Sequence, residues 1–312
     1  MIAVGGEALV DLVGNDGVLR PVPGGGPLNT AIALGRLAVP VAFLGTLSHD
    51  HYGTMLARLL IEAGVDTSLV RWSDAPTPLA VVNGQDHGES TYTFYLNGTS
   101  FTDLPPEAVP ALPEQVWAIH VGTLGLAVDP PASAFEALLD RERGRRTIVL
   151  DPNVRPGLFG DQATYRSKFE RLAGAAEVVK LSEADAAWIY PKDELSDTLE
   201  RLLTLGPRLV AITMGTAGAV AASAHGQARV PALSVTVADT VGAGDSFGAA
   251  LLAILIGRNA LGREATRPLD DALLEEAVTY AVTASALTCT QIGAVPPSLA
   301  EVDSWLVAPD EH

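Results

Sequence analysis

The sequence predicts an α/β fold with a mostly parallel central sheet and a small antiparallel β lid. Short runs rich in Val, Ile and Leu alternate with stretches of helical period, which is the pattern of successive βαβ units. Apolar residues make up 48% of the chain and charged residues only 18%, so a sizeable core can be buried. We interpret residues 1–312 as a single domain, because no linker or internal repeat divides them.

The elements follow one another in regular order. The predicted strands are apolar throughout, as expected when helices cover both faces of a sheet, and span 2–6, 41–45, 118–122, 147–151, 177–181 and 209–213. Helical periodicity predicts helices over 28–38, 53–63, 131–143, 161–173, 183–190, 196–205, 245–257 and 271–289. Pro27 suits the beginning of the first of these helices.

Two segments, 9–22 and 78–98, break this order. Their turn residues lie at Asn15-Asp16-Gly17 and Asn83-Gly84, and the stretch 91–94 alternates polar and aromatic residues. Neither segment returns through a helix. We interpret them as hairpins of a small sheet that stands off the main body as a lid, and a plain surface excursion is the alternative.

Charge and cysteine content exclude several classes of protein. The chain has 20 cationic and 37 acidic residues, a net charge of −17, and no basic cluster, so nucleic acid is not an expected partner. A single cysteine, Cys289, excludes an intramolecular disulfide and a Cys-rich zinc site. The N-terminus has no cationic start of a secretory signal, and the apolar run after Asp245 is too short to cross a bilayer. We therefore expect a cytoplasmic protein without a membrane partner.

The segment 239–257, DTVGAGDSFGAALLAILIG, combines a small-residue turn with an apolar helix. Gly242, Ala243 and Gly244 leave their backbone N–H groups accessible at the positive end of that helix, which is a typical anion site. Asp245 follows in the first turn. It is either a helix-capping carboxylate or, beside a bound phosphate, a base that takes a proton from a hydroxyl group.

A second glycine cluster lies at 23–26, before a helix that carries Asn29. Backbone without side chains allows a ligand to approach closely, and the Asn29 amide offers both a donor and an acceptor to a polyol. Asp11, just past the first strand, is another acceptor for sugar hydroxyls. Turn and cap chemistry is the alternative for Asp11 and Asn29. The chain has neither a Walker A loop nor a full dinucleotide-binding glycine pattern, so a kinase of another kind is indicated.

These residues carry a resemblance to the ribokinase/PfkB family of sugar kinases over essentially the whole chain. GGGPLNTAIALGRLAVPVAFLGTLSHDHYG at 24–53 resembles the N-terminal signature of the family, and DTVGAGDSF resembles the C-terminal one. Between them, DPNVRP at 151–156, KLSEAD at 180–185 and TMGTAG at 213–218 match intermediate motifs in the right order. The resemblance implies a ribokinase-like three-layer fold and an ATP-dependent phosphotransferase whose acceptor is an alcohol group.

The resemblance also implies roles for individual residues. Asp245 corresponds to the catalytic base, and the anion hole corresponds to Gly242, Ala243 and Gly244. Sugar hydroxyls are expected to bind Asp11, Gly25, Gly26 and Asn29, and Arg155 can bridge the sugar and the transferring phosphate. The nucleotide is expected at Lys180, Ser182, Thr213, Gly215, Gly218 and Cys289. Mg²⁺ is expected near Asp185 through water, and a monovalent cation such as K⁺ near Asp239 and the Val241 carbonyl.

The motifs also bear on the substrate. DPNVRP resembles fructokinases and 2-keto-3-deoxygluconate kinases, but Leu96 stands where many of those relatives have an Arg, which argues against a carboxylated sugar. From the likeness of this motif to fructokinases, fructose is the expected substrate. The alternatives are a 2-keto-3-deoxygluconate kinase, a ribokinase or a nucleoside kinase of the same family, and, from another class, a non-catalytic sugar-binding regulator. Exposed lid strands usually need covering, so we expect a homodimer formed through the lid.

Overall fold

The computed structural model describes residues 1–15, 18–86, 89–159, 161–262 and 265–307. The strands are β1 Ile2–Gly5, β2 Leu9–Asn15, β3 Val18–Gly24, β4 Val41–Ser48, β5 Val70–Ser73, β6 Leu79–Asp86, β7 Glu89–Tyr95, β8 Ala118–Gly122, β9 Thr147–Asp151, β10 Val178–Ser182, β11 Leu209–Thr213, β12 Ala219–Ala222 and β13 Gln227–Val230. The helices are α1 Gly26–Arg36, α2 His51–Glu62, α3 Pro131–Glu142, α4 Gln162–Ala173, α5 Glu183–Ile189, α6 Leu195–Leu205, α7 Ala243–Gly257, α8 Asp271–Cys289 and α9 Leu299–Val307.

The main sheet has nine strands in the order β13-β12-β11-β10-β9-β8-β1-β4-β5. The pairs from β11 to β5 are parallel, and the two pairs at the other edge, β11–β12 and β12–β13, are antiparallel. The carboxyl ends of the parallel strands therefore meet along one edge of the sheet. In open α/β sheets this is the edge at which ligands bind.

Helices cover both faces of this sheet, so alternate residues of each strand enter different cores. One core joins Ile2 and Val4 of β1 to α1, α2, α7 and α8, and the other joins Ala3 to α3, α4, α5 and α6. This is why the strands are apolar throughout rather than alternating. The predicted three-layer, mostly parallel fold is confirmed.

The segments that break the βαβ order form a separate four-stranded sheet in the order β3-β2-β6-β7, here called the lid sheet. β2–β3 and β6–β7 are antiparallel hairpins, as predicted, and the parallel pair β2–β6 joins them. Tyr92 and Phe94 of β7 pack on a small core that includes Leu9, Leu96 and Leu124. The lid sheet thus rests on the main body beside the carboxyl edge of the large sheet.

Two details differ from the sequence-based predictions. The prediction of a turn at Asn83-Gly84 is wrong, because β6 continues through these residues with a bulge between Val82 and Gly84. The other expected turn, at 15–17, falls mostly outside the described residues. All predicted strands and helices of the core are present, with ends shifted by up to three residues, whereas β5, β12, β13 and α9 were not predicted.

Within the described ranges, no helix combines the length and apolar character needed to cross a membrane.

Candidate active site

The polar residues singled out by the sequence lie along the carboxyl edge of the main sheet. Asp11 is on β2, which follows β1, and Arg155 follows β9. Ser182 ends β10 and Thr213 ends β11, and the parallel register pairs these two residues directly. The Gly242 turn at the start of α7 faces this edge, because Lys180 of β10 lies beneath it. The fold therefore brings residues that are far apart in the chain to one place.

The amino end of α7 carries the accessible amides. Gly242 caps the helix in the left-handed region with φ 77°, where a side chain would also meet Ala294. The first intrahelical bond runs from the Ser246 N–H to the Gly242 carbonyl, which leaves the preceding amides to the unpaired first turn. Among these amides, the Ala243 N–H donates only a long hydrogen bond of 3.3 Å to the Thr240 carbonyl. The turn is suited to bind an anion.

Asp245 lies in this first turn, and its side chain is buried. Its Oδ2 accepts a hydrogen bond of 2.9 Å from Nδ2 of Asn29, the residue expected to bind sugar hydroxyls. Burial and the negative charge of Asp151 raise the pKa of Asp245 to about 6, and Lys180, Asn29 and Arg155 counteract part of the rise. A carboxylate with this pKa is ionised at neutral pH yet basic enough to accept a proton.

The glycine turn before α1 faces the same carboxylate. A Cβ built on Gly26 would lie 3.3 Å from Oδ1 of Asp245 and 2.8 Å from Oγ1 of Thr123. Gly25, with φ 109°, allows the backbone to make this close approach. A larger residue at position 26 would fill the space in front of the carboxylate. The two glycine-rich turns therefore enclose Asp245 from both sides.

A buried ion pair supports the floor of the site. Nζ of Lys180 lies 2.9 Å from Oδ2 of Asp151, and both side chains are less than a tenth exposed. Burial alone would lower the pKa of Lys180, but the charges of Asp151 and Asp245 outweigh it and raise that pKa above its usual value. Nζ also lies 3.0 Å from a Cβ built on Gly244. A fixed positive charge thus underlies the amide turn.

Arg155 connects the site to the lid sheet. Its guanidinium donates to Oδ1 of Asn153 at 2.8 Å and lies 5.9 Å from the ring centre of Tyr92 on β7. Asp11 on β2 lies within its electrostatic reach. Burial raises the pKa of Asp11 to about 6, and the charge of Arg155 opposes that rise. One guanidinium therefore interacts with the lid and faces the centre of the site.

Asp185 is held by backbone groups. Its Oδ1 accepts from the Val154 N–H at 2.7 Å, and its Oδ2 accepts from the Ser182 N–H at 2.8 Å. Ser182 in return caps α5 by accepting from the Asp185 N–H. One carboxylate oxygen thus binds the loop after β9, and the other completes the capping box of α5. A metal could reach Asp185 only as an additional partner, through water.

The remaining predicted residues lie farther along the same edge. Gly215 and Gly218 form the turn after β11, and a Cβ on Gly218 would meet the Val230 carbonyl at 2.0 Å, whereas Gly215 borders open space. The Cys289 carbonyl at the end of α8 accepts from the Ala238 N–H. The Asp239 carboxylate accepts hydrogen bonds from the backbone N–H groups of Thr240, Val241 and Gly293. This carboxylate joins the loop before α7 to the loop after α8.

The donor set suits a divalent metal that is shared with phosphate. Residues 1–15, 18–86, 89–159, 161–262 and 265–307 contain no cluster of three or more His, Cys, Asp or Glu side chains that could hold a metal alone. However, Oδ1 of Asp151 is buried and has no hydrogen-bond partner among the described residues. Such an oxygen beside an anion site fits Mg²⁺, which keeps several waters and binds through one or two carboxylates plus substrate phosphates.

Comparison with protein-family models matches residues 2–301 to the pfkB family carbohydrate kinase. The chain belongs to this family. It is accordingly a phosphotransferase that acts on an alcohol group of a carbohydrate. The family resemblance drawn from the five ordered motifs is confirmed.

The carbohydrate kinase is similar to known proteins over nearly its full length. It is 37% identical to a fructokinase from Rhizobium leguminosarum bv. trifolii over 279 residues, which cover 88% of this chain and 85% of the relative. A crystal structure of fructokinase from Vibrio cholerae O395, bound to fructose, ADP and calcium ion, superposes with a TM-score of 0.85 at 27% identity and covers 98% of both chains. A double mutant of that enzyme, bound to fructose, ADP and potassium ion, gives the same TM-score at 26% identity, with 98% and 97% covered.

Several residues of this candidate site were not predicted from the sequence. Asp151 and Asn153 lie in the DPNVRP motif, from which only Arg155 was selected, and Thr123 lies after β8 with no motif to mark it. Glu7 also lies at this edge. The sequence could have indicated Glu7 as a candidate site residue, since it is an acidic residue within an otherwise apolar N-terminal stretch.

The raised pKa values predict a loss of activity in acid. If Asp245 must be ionised to accept a proton, kcat/KM for the sugar should fall as the pH drops through about 6, the pKa of this residue. Asp11 titrates in the same range and steepens the fall, because its protonated form is a poorer acceptor for sugar hydroxyls. A pH profile of kcat/KM checks this. A flat profile down to about pH 5 would contradict the assignment of both residues.

Proposed function

We propose that this chain is an ATP-dependent fructokinase that transfers the γ-phosphoryl group of ATP to a primary hydroxyl of fructose. One observation carries the proposal: the buried Asp245 carboxylate lies between the amide turn at the start of α7 and the Gly25–Gly26 turn. The relative whose structures hold both fructose and ADP supports the choice of ligands.

The geometry suggests how the transfer proceeds. Asp245 takes the proton of the primary hydroxyl, whose oxygen attacks the γ-phosphorus as the bond to the oxygen of the leaving ADP breaks. The amides of residues 242–244 stabilise the charge on the transferring group. Arg155 bridges the sugar and that group. Closure of the lid sheet excludes water, which otherwise competes as an acceptor.

The site also suggests where the nucleotide and its metal bind. Asp151, through its unpartnered oxygen, and Asp185, through water, would hold Mg²⁺ together with the ATP phosphates, and the ion would neutralise phosphate charge. The ATP phosphates extend toward Lys180 and Ser182, and the rest of the nucleotide lies along the outer edge of the site, near Thr213, Gly215, Gly218 and Cys289. The loop at Asp239 and the Val241 carbonyl is the proposed position of a K⁺ ion, and the potassium-bound relative supports the choice of ion.

The proposed preference for a neutral sugar over a sugar acid rests on a missing cation. Leu96, the residue after β7, is only 6% exposed and packs with Leu9 and Phe101 under the lid sheet. An apolar side chain at this position cannot pair with a carboxylate on the substrate. A neutral sugar is therefore favoured over a sugar acid.

We further propose a homodimer formed through the lid sheet. Val18 and Leu19 on β3 and Tyr95 on β7 are each more than half exposed, and both strands are edges of the lid sheet. Large apolar side chains on sheet edges favour pairing with a second copy. Sedimentation that shows only monomer at micromolar concentration would contradict this.

We also propose a cytoplasmic location, because an enzyme that consumes ATP must work where ATP is supplied.

An ADP-release screen over ketohexoses, pentoses, keto-deoxy acids and nucleosides tests the function. We expect fructose to give the highest kcat/KM and the sugar acid to be at least about tenfold worse, since its carboxylate has no cationic partner at position 96. Release of ADP without any acceptor measures competing hydrolysis. A higher kcat/KM for a nucleoside or a sugar acid would refute the fructose assignment. Binding of fructose without turnover would instead indicate a sugar-binding regulator.

A further inference from the structure

Glu7 is a buried carboxyl group that the mechanism above does not use. It follows β1 at the carboxyl edge of the main sheet and is only 1% exposed. Neither of its side-chain oxygens has a hydrogen-bond partner of normal geometry among the described residues. Leaving a buried polar group without a partner is unfavourable, so its presence next to the site requires an explanation.

Glu7 lies directly behind the turn that faces Asp245. A Cβ built on Gly25 would lie 2.7 Å from the Glu7 carbonyl oxygen and 3.3 Å from its Cγ. On the other side, a Cβ on Gly26 would lie 3.3 Å from Oδ1 of Asp245. The Gly25–Gly26 turn is thus enclosed between two carboxyl-bearing residues, Asp245 in the candidate site and Glu7 buried behind it.

The same charged groups act on both carboxyls. Burial raises the pKa of Glu7 to about 8, and the negative charge of Asp245 on α7 adds to the rise. Arg155, from the loop after β9, and the backbone amides of Glu7 and Gly125 oppose it. At neutral pH Glu7 therefore keeps its proton, whereas Asp245 is ionised. Neighbouring acids with different protonation states commonly have different roles.

We propose that Glu7 is a positioning residue for the sugar site, which supports the Gly25–Gly26 turn from behind as an uncharged group and leaves Arg155 available to the substrate. This inference rests on the proposed function. Ionised Glu7 would add a second negative charge close to Asp245 and would attract Arg155 away from the sugar and the phosphate. The sugar site should then lose affinity, while the nucleotide site, which is at the other end of the edge, should not.

The pH profile of kcat/KM for fructose tests this in the wild type, in Glu7→Gln and in Glu177→Gln. Glu177 is the matched control, because burial also raises its pKa but it precedes β10 at the opposite edge of the sheet. In the wild type, kcat/KM should fall about tenfold for each pH unit above about 8. Glu7→Gln should stay level there and lie within about threefold of the wild type at neutral pH. Glu177→Gln should follow the wild type, and KM for ATP should stay constant in all three.

If Glu7→Gln falls above pH 8 as the wild type does, the proposal is overturned. Thermal stability gives an independent readout of the proton. A carboxyl whose folded pKa is raised stabilises the fold fully below about 4.5, and this contribution is lost as the pH rises through about 8. The melting temperature of Glu7→Gln relative to wild type should therefore rise over this window. A constant difference would overturn the protonation assignment.

A measurement on the wild type keeps the inference testable if Glu7→Gln does not fold. With ¹³C-labelled glutamate carboxyls, one NMR signal should titrate near pH 8 and shift when fructose binds. The absence of a signal with both properties would overturn the proposal. If the wild type phosphorylates no sugar, the proposed function fails, whereas the titration still reports on Glu7 separately.

Discussion

Asp245→Asn is expected to lower kcat by roughly two to four orders of magnitude, with little change in nucleotide affinity. Asparagine keeps the size of the side chain and can still accept from Asn29, but it cannot take the proton of the acceptor hydroxyl. Steady-state kinetics with fructose and ATP measure the effect. Asp271→Asn is the matched control, because Asp271 also lies in the first turn of a helix but binds the Gln227 amide away from the site. Near-normal turnover in Asp245→Asn would remove the proposed base.

The same variant should be more stable than the wild type at neutral pH. The folded pKa of Asp245 is raised from 3.8 to about 6, so the ionised form is disfavoured in the fold and stability is lost as the pH rises through about 6. At about 1.4 kcal/mol per pKa unit, asparagine should recover up to about 3 kcal/mol at neutral pH and nothing below about pH 4. An inactive but stabilised variant separates catalysis from folding.

Lys180→Met is expected to lower the free energy of unfolding by about 3–5 kcal/mol, because it leaves the buried Asp151 carboxylate without its cation. Urea unfolding at neutral pH measures the loss. Arg258→Met is the matched control. Its exposed pair with Glu276 should be worth less than about 1 kcal/mol.

A double variant shows whether the loss comes from the unpaired charge. Replacing both partners, as Lys180→Met with Asp151→Leu, should restore most of the stability, since apolar groups of similar size often substitute for a buried pair. The double variant should still be a poor kinase, because the positive charge beneath Gly244 is gone. A loss in Lys180→Met no larger than that of Arg258→Met would show that the pair contributes little.

The sequence allowed the core strands and helices to be predicted because burial on both sides produces continuous apolar runs. β12 and β13 were missed for two different reasons. Ala219–Ala222 is buried but short and alanine-rich, whereas Gln227–Val230 is an edge strand with exposed polar residues. Asn83-Gly84 was wrongly predicted to be a turn, because a bulge within a strand uses the same residue types as a hairpin turn.

The site was predictable where its residues are contiguous. The turn at 242–244 and Asp245 are adjacent in the chain, so their meeting needs no tertiary information. The pairing of Lys180 with Asp151 depends on the parallel register of β10 with β9, in which Val179 lies opposite Leu150. The place of Glu7 behind Gly25 depends on how α1 returns to the end of β1. Neither follows from composition or spacing.

The most direct test of the central claim is a crystal structure of Asp245→Asn with fructose and ATP, since the variant should bind both without consuming them. We expect the primary hydroxyl of fructose within about 2.6–3.2 Å of the side chain at position 245. We also expect the γ-phosphate on the amides of residues 242–244. Fructose bound elsewhere, or with its primary hydroxyl turned away from position 245 and the phosphate off the turn, would contradict it.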